Sequence, residues 1–401
     1  MTYTPFFLGY PRKMMFMFGS GDTLTTLIWF LVFMIFIFIY PRMMLQQLIL
    51  QLERSALKLE AMSADARKMI VRKVGNESRA TDEKIRNFQE FIAIEPSSFD
   101  PYGIVKKVDQ VSRNVESRFD EFVDEIGAGK SQKEKREINF GLRAAIGVHT
   151  IAKIVRHYVE TAKKFKNLQI AMVIQMQLPQ IEKLAESELK GTDAFVNGFP
   201  VGDSIGPYVA ATYIEKSRPV AEGIVGGETT ILGRKVFVLK ASGPDPHLGR
   251  VDEAVEKIVK KNRIAKVITV DAAGKLEGEK TGSVAEGVGF AMGGGVEREI
   301  VEAVLLPRKI PLDTIVVKVG MEDAITPMKK EIKDAAPKVQ DLIKDSVRRS
   351  PKNAKIILVG VGNSCGIGND RKSLAEADRM IEEQDRKAKA EQAKKKKRFR
   401  F

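Results

Sequence analysis

The sequence predicts an α/β C-terminal domain, doubly wound on a mostly parallel sheet, preceded by a transmembrane helix and an α-helical region. Three observations predict it: an 18-residue uncharged run from Thr23 to Tyr40, a helical texture from about Thr81 to Leu189, and short β-rich runs alternating with helical stretches after Gly191. At 401 residues the chain is long enough for two or three self-sufficient cores. A lone Cys365 excludes a disulfide framework and a Cys-based zinc site, and His149, His157 and His247 leave little for an all-His metal centre. The surplus of 66 Lys and Arg over 52 Asp and Glu, net +14, favours an anionic partner, whether a lipid surface or nucleic acid.

Residues 1–22 form an N-terminal segment, and residues 23–41 read as the transmembrane helix. Eighteen residues rising ~1.5 Å each span roughly 27 Å, close to the ~30 Å of bilayer hydrocarbon, with Tyr10 and Tyr40 as interfacial anchors. The alternatives are a core helix, which is rarely apolar all round, and a signal peptide, which ends in small residues where this chain has Tyr40, Pro41, Arg42 and Met43. Arg42, Arg54, Lys58, Arg67 and Lys68 outnumber Arg12 and Lys13, so the C-terminal side is expected in the cytoplasm and the protein in the cell membrane as a single-pass chain.

Residues 42–80 form a membrane-proximal helix. Leu45, Leu48, Leu52, Ser55, Leu59, Met62, Ala66 and Met69 keep the 3,4 spacing of a left-handed coiled coil, which as a seam between copies would make a homo-oligomer. Ile49, Ala56 and Ile70 beside that seam offer the alternative of packing on the chain's own helices. Residues 81–190 form a helical module, with breaks expected near Glu95 to Pro101, at Gly127-Ala128-Gly129 and at Leu178-Pro179.

Residues 191–370 carry the α/β pattern. Strands are expected at 235–239, 267–270, 288–292, 314–319 and 355–359, with helices over 208–216 and 249–262. Ligands of such sheets meet the carboxyl ends of the strands. Asp271 directly follows Val267-Ile268-Thr269-Val270, and Asp203 lies in the turn Gly202-Asp203-Ser204-Ile205-Gly206-Pro207. A helix cap and a loop acid are the plain alternatives. Gly243-Pro244-Asp245-Pro246-His247-Leu248-Gly249-Arg250 suits a substrate or anion loop, with His247 and Arg250 as its binding residues.

The turn at 202–207, the run Val267 to Ala272, Gly293-Gly294-Gly295 and Gly320-Met321-Glu322-Asp323-Ala324 together resemble the motif order of the spore germination protease family. The fold of that family is similar to that of the hydrogenase maturation endopeptidases. The resemblance covers about residues 191–365. It implies a paired-acid centre at Asp203 and Asp271, with Gly294 and Gly295 among the substrate-binding residues. The whole chain resembles an archaeal family of membrane-anchored proteins of unknown function. Two neighbouring carboxyls share a proton, so such a pair acts as general acid and general base on a water, with no cofactor and no metal. The nickel-bound arrangement of the hydrogenase endopeptidases uses a histidine after the second acid, and this chain has none after His247.

Residues 371–401 form a helical to disordered basic tail. From Asp385 to Phe401 nine basic residues face two acids, a composition suited to anionic lipid, to RNA or to plain solvation. The expected function is a membrane-anchored cytosolic peptidase-like protein that hydrolyses a protein substrate. The alternative is a non-catalytic binding platform or scaffold.

Overall fold

The computed structural model describes residues 23–90, 104–288 and 301–398. Helix α1 (Thr23–Val74) runs unbroken for 52 residues through Pro41. Its first part is exposed on every side from Leu27 to Tyr40 and is apolar and long enough to cross a membrane. The rest packs on two long helices, α4 (Gln132–Phe165) and α5 (Leu168–Val196), with the short α2 (Arg79–Phe88) and α3 (Ile104–Ile126) against its far end.

The heptad seam of α1 is covered from within the chain. Leu52, Ala56 and Leu59 are buried with Ala152, Val155, Val159 and Ala162 of α4 and Ala171, Ile174 and Leu178 of α5. Further on, Ala66, Ile70 and Val74 join Ile138, Leu142, Ala145 and Val148. Glycine sets the spacing at one crossing: a Cβ on Gly141 would collide with Val196 and press on Ile70. Helix α4 is also long and apolar enough to cross a membrane, but half of its apolar window is buried, as in a core helix.

Of the expected helix breaks, one is present and one is replaced. The break at Gly127 to Gly129 is present, because α3 ends at Ile126 and a capping box at Ser131 and Glu134 opens α4. The break at Leu178-Pro179 is absent: α5 runs through Pro179, whose ring faces solvent while Leu178 holds the core. The chain turns instead at Lys166, in the left-handed region at φ 47°, and at Asn167, whose side chain accepts the amides of Gln169 and Ile170. The break near Glu95 to Pro101 lies outside the described residues.

The C-terminal half is a seven-stranded mixed sheet: β1 (Arg218–Ala221), β2 (Ile224–Ile231), β3 (Arg234–Ala241), β4 (Ile264–Gly274), β5 (Val284–Val288), β6 (Leu312–Val319) and β7 (Lys355–Gly360), in spatial order β1-β2-β3-β7-β4-β6-β5. Only the centre β3-β7-β4-β6 is parallel. The edges β1-β2-β3 and β6-β5 are antiparallel, which corrects the expectation of a mostly parallel sheet. Of the strand expected at 288–292, only Val288 is described, as the end of β5.

Helices cover both faces, as expected of a doubly wound sheet. On one lie α6 (Ile205–Ala211), α9 (Lys330–Lys333), α10 (Ala336–Arg348) and the start of α11 (Leu374–Arg398), packed on Val236, Val238, Ile268, Val270, Ile315, Ile356 and Leu358. On the other lie α7 (Val251–Lys261) and α8, described over residues 301–305, packed on Phe237, Leu239, Val267, Ile357 and Val359. Helix α6 begins and ends earlier than the 208–216 expected. The basic tail is helical through Arg398.

Candidate functional site

The parallel centre places its carboxyl ends in one row. Lys240 of β3 pairs with Gly360 of β7, which pairs with Val270 of β4, and Asp271 stands one residue further out. Helix α7, which leads into β4, lies on one face of the sheet, and α10, which leads into β7, lies on the other. Between β4 and β7 the winding therefore changes direction, the place where open α/β sheets bind ligands.

Asp203 reaches this point from a turn that three glycines press against the strand ends. The Gly202 and Asp203 amides donate to the carbonyls of Thr326 (3.1 Å) and Ala324 (2.8 Å) in the loop after β6. A Cβ on Gly202 would run into the Asp323 carbonyl, one on Gly206 into the carbonyls of Val361 and Val270, and one on Gly362, at φ +121°, into the Asp203 carbonyl. The glycines flanking Asp203 thus let the turn sit backbone to backbone on β4 and β7.

Asp203 is not a helix cap. It lies in a 3₁₀ turn (Gly202–Ser204) before α6, and its Oδ2 accepts the amide of Asn363, 2.7 Å away in the loop after β7. Burial raises its pKa, and the Asn363 amide pulls the other way. Asp271 is 3% exposed, and its Oδ1 accepts the Ala272 amide at 2.7 Å. Burial first, and then the charge of Asp203, push Asp271 up to about 8. Residues 68 positions apart in sequence thus come within reach of each other's charge, and burial pushes both carboxyls upward.

Two further charged groups at this end of the sheet escaped the sequence reading. Lys240 is fully buried, donates to the Ala241 carbonyl (2.6 Å) and Asn369 Oδ1 (3.2 Å), and is lowered to about 7 by burial. Asp323 is 4% exposed and pairs with Lys329 at 2.8 Å. The signal for Lys240 was the one that exposed Asp271: a charge directly after a continuous apolar strand.

His247 and Arg250 do not join the acids. They line a cavity of about 200 Å³ between α3, α4 and the 246–250 loop, together with Arg136, Arg143, Glu116 and Asp120. Arg250 is buried and pairs with Glu116 at 3.3 Å, and Arg136 pairs with Asp245 at 2.5 Å. Arg143 lies over the rings of Phe119 and Phe140. Burial and the Arg136 charge lower the pKa of His247. The 243–248 loop touches the acid site only indirectly, through the Ser364 amide on the His247 carbonyl (3.0 Å) and the Gly366 amide on that of Pro244 (2.7 Å).

Gly294 and Gly295 lie outside the described residues. Among the described residues, no three His, Cys, Asp or Glu side chains are grouped to hold a metal ion. Cys365 is fully buried, and burial raises its thiol well above the usual range.

Two family descriptions match the chain: the N-terminal domain of a protein of unknown function (DUF1512) over residues 26–198, and the C-terminal domain of the same family over residues 201–368. No curated protein and no solved structure matches it.

Proposed function

The chain belongs to the DUF1512 family, and from its geometry we propose that it is a membrane-anchored, peptidase-like hydrolase that cleaves a protein substrate through Asp203 and Asp271. The observation that carries this reading is the coupling of the two carboxyls at the winding change of the sheet, with Asp271 held protonated up to about pH 8. Asp271 is pushed up by burial and by the charge of Asp203, so this reading makes Asp203 the base and Asp271 the acid.

Asp203 takes a proton from a water, whose oxygen attacks the peptide carbonyl carbon. Asp271 gives its proton to the departing amide nitrogen as the C–N bond breaks. The new carboxyl and amine leave, and the proton on Asp203 returns to Asp271 through solvent or product. The motif resemblance to the spore germination protease family supports the same pair. The exposed apolar run of α1 supports the anchor, and the basic excess after it supports a cytoplasmic body.

The test uses the full chain in detergent with a library of fluorescence-quenched peptides, and compares protein N-termini in membranes of cells carrying the parent chain, Asp203→Asn or Asp271→Asn. Loss of cleavage in both variants, with parent activity falling as pH rises through about 8, is the expected result. Equal cleavage by the parent and both variants would end the proposal. One observation favours a second reading, a non-catalytic platform: the cavity lined by Arg136, Arg143, His247 and Arg250 is separate from the acids and joins the helical region to the sheet. Absence of any cleavage by the parent chain would leave that reading in place.

A further inference from the structure

Ion pairs fix how the helical region stands on α1. Arg156 of α4 meets Glu60 at 2.7 Å, and Lys163, nearer the end of α4, meets Glu53, nearer the start of α1, so α4 runs antiparallel to α1. Lys58 meets Glu182 at 2.8 Å and Glu186 at 3.0 Å in the second half of α5, so the first half of α5 lies beside the start of the stalk. Leu45 and Ile170 accordingly pack on the same cluster. The α4–α5 turn at Lys166 and Asn167 therefore points toward the end of the uncharged run, within about eight residues, or ~12 Å, of Arg42 along α1.

The surface at this tip is unusual for a helix end in water. Residues 161–181 contain three lysines (Lys163, Lys164, Lys166) and no acid, and residues 168–181 contain no charge at all. One face of α5 fills the core through Ala171, Ile174 and Leu178, yet the opposite face exposes Met172, Val173 and Met176, the last 69% exposed, and continues into Phe165 at 65%. Lys164 places its Nζ 5.5 Å from the centre of the Phe165 ring. An apolar face rimmed by lysines is the composition of elements that lie in a lipid interface, where each lysine near an anionic surface contributes ~1 kcal/mol. The same patch on a second copy would bring no opposite charge, whereas phosphate headgroups would.

We infer that the α4–α5 tip is a second membrane contact: Phe165, Met172, Val173 and Met176 enter the headgroup region of the leaflet from which α1 emerges, and Lys164 and Lys166 bind anionic lipid headgroups. The inference rests on α1 crossing the bilayer. It makes the helical region a bracket with two feet rather than a stalk on one.

The test uses the full chain in lipid nanodiscs holding one copy, made of phosphatidylcholine with or without phosphatidylglycerol, and carrying an environment-sensitive fluorophore at Phe165→Cys or Met172→Cys. Phe30→Cys reports on the anchor, and Leu276→Cys, 74% exposed on the α/β domain, is the distant control. Nitroxide-labelled lipid is expected to quench probes 30, 165 and 172 but not 276. Replacing Lys164 and Lys166 by Gln is expected to lower the docked-to-undocked ratio roughly fivefold per lysine in the anionic discs. Quenching at 30 without quenching at 165 and 172 would overturn the inference and leave the anchor standing. No quenching at 30 would remove both. Lipid-independent shielding of probe 172 that appears only in discs holding two copies would make the patch a self-contact and overturn it as well.

Discussion

Asp271 binds its proton more tightly in the folded chain than in the unfolded one, because burial and the neighbouring Asp203 lift it from 3.8 to about 8. Below pH ~4 both states carry the proton and nothing is gained or lost. Between ~4 and ~8 the unfolded chain releases a proton that the fold keeps, so stability falls as pH rises through that window. Asp271→Asn is therefore expected to raise Tm by several degrees at about pH 8.5 and leave it nearly unchanged at about pH 4, as read by calorimetry. Gly206→Ala works the other way: its Cβ would meet the carbonyls of Val361 and Val270, so a loss of more than ~2 kcal/mol is expected in denaturant unfolding. Both acids were legible in sequence because each interrupts an apolar or glycine-rich context. The placement of Asp203 at the strand ends was not legible from spacing, since it depends on Asn363 and Gly362, residues that read only as a loop after the last strand. Asp203 looked like a cap for the same reason: its partner is distant in sequence.

At the scale of the element, periodicity served where packing follows local pattern. The α1 stripe, the break after Ile126 and helix α7 all lay within the expected ranges. Propensity misled where tertiary contact overrode it. Pro179 stands inside α5 because the buried residues around it hold the helix on α1 and α4. Restoring the missing amide with Pro179→Ala is expected to stabilise the chain by ~1–3 kcal/mol, measured from the urea midpoint. Strands β1 and β2 were missed because β2 carries Gly226 and Gly227 and β1 carries Pro219, all weak strand formers. A Cβ on Gly226 would crowd the Val238 carbonyl, so its glycine serves the pairing with β3. The hairpin between β2 and β3 turns on Leu232 and Gly233, both at positive φ, and leucine there gives none of the Asn-Gly signal that marks such turns.

Across the whole molecule, polar contacts tie the helical region to the α/β domain: Arg136 with Asp245, Arg250 with Glu116, and Arg113 with Glu253. A double-mutant cycle on Arg136→Ala and Asp245→Ala is expected to return a coupling of about 1 kcal/mol that shrinks with added salt. The change from apolar run to helical region to sheet could be read from composition, because each part has its own hydrophobic period. The strand order could not, since neighbours in a sheet leave no mark on one another's sequence. The insertion of β7 between β3 and β4 has a further consequence for biosynthesis. Until residues 355–360 are added, the strand order offers only two half-sheets, β1-β2-β3 and β4-β6-β5, with no strand to join them. Asp203 then also lacks the Asn363 amide that holds it, so the candidate acid pair takes its final arrangement only once the last strand is in place.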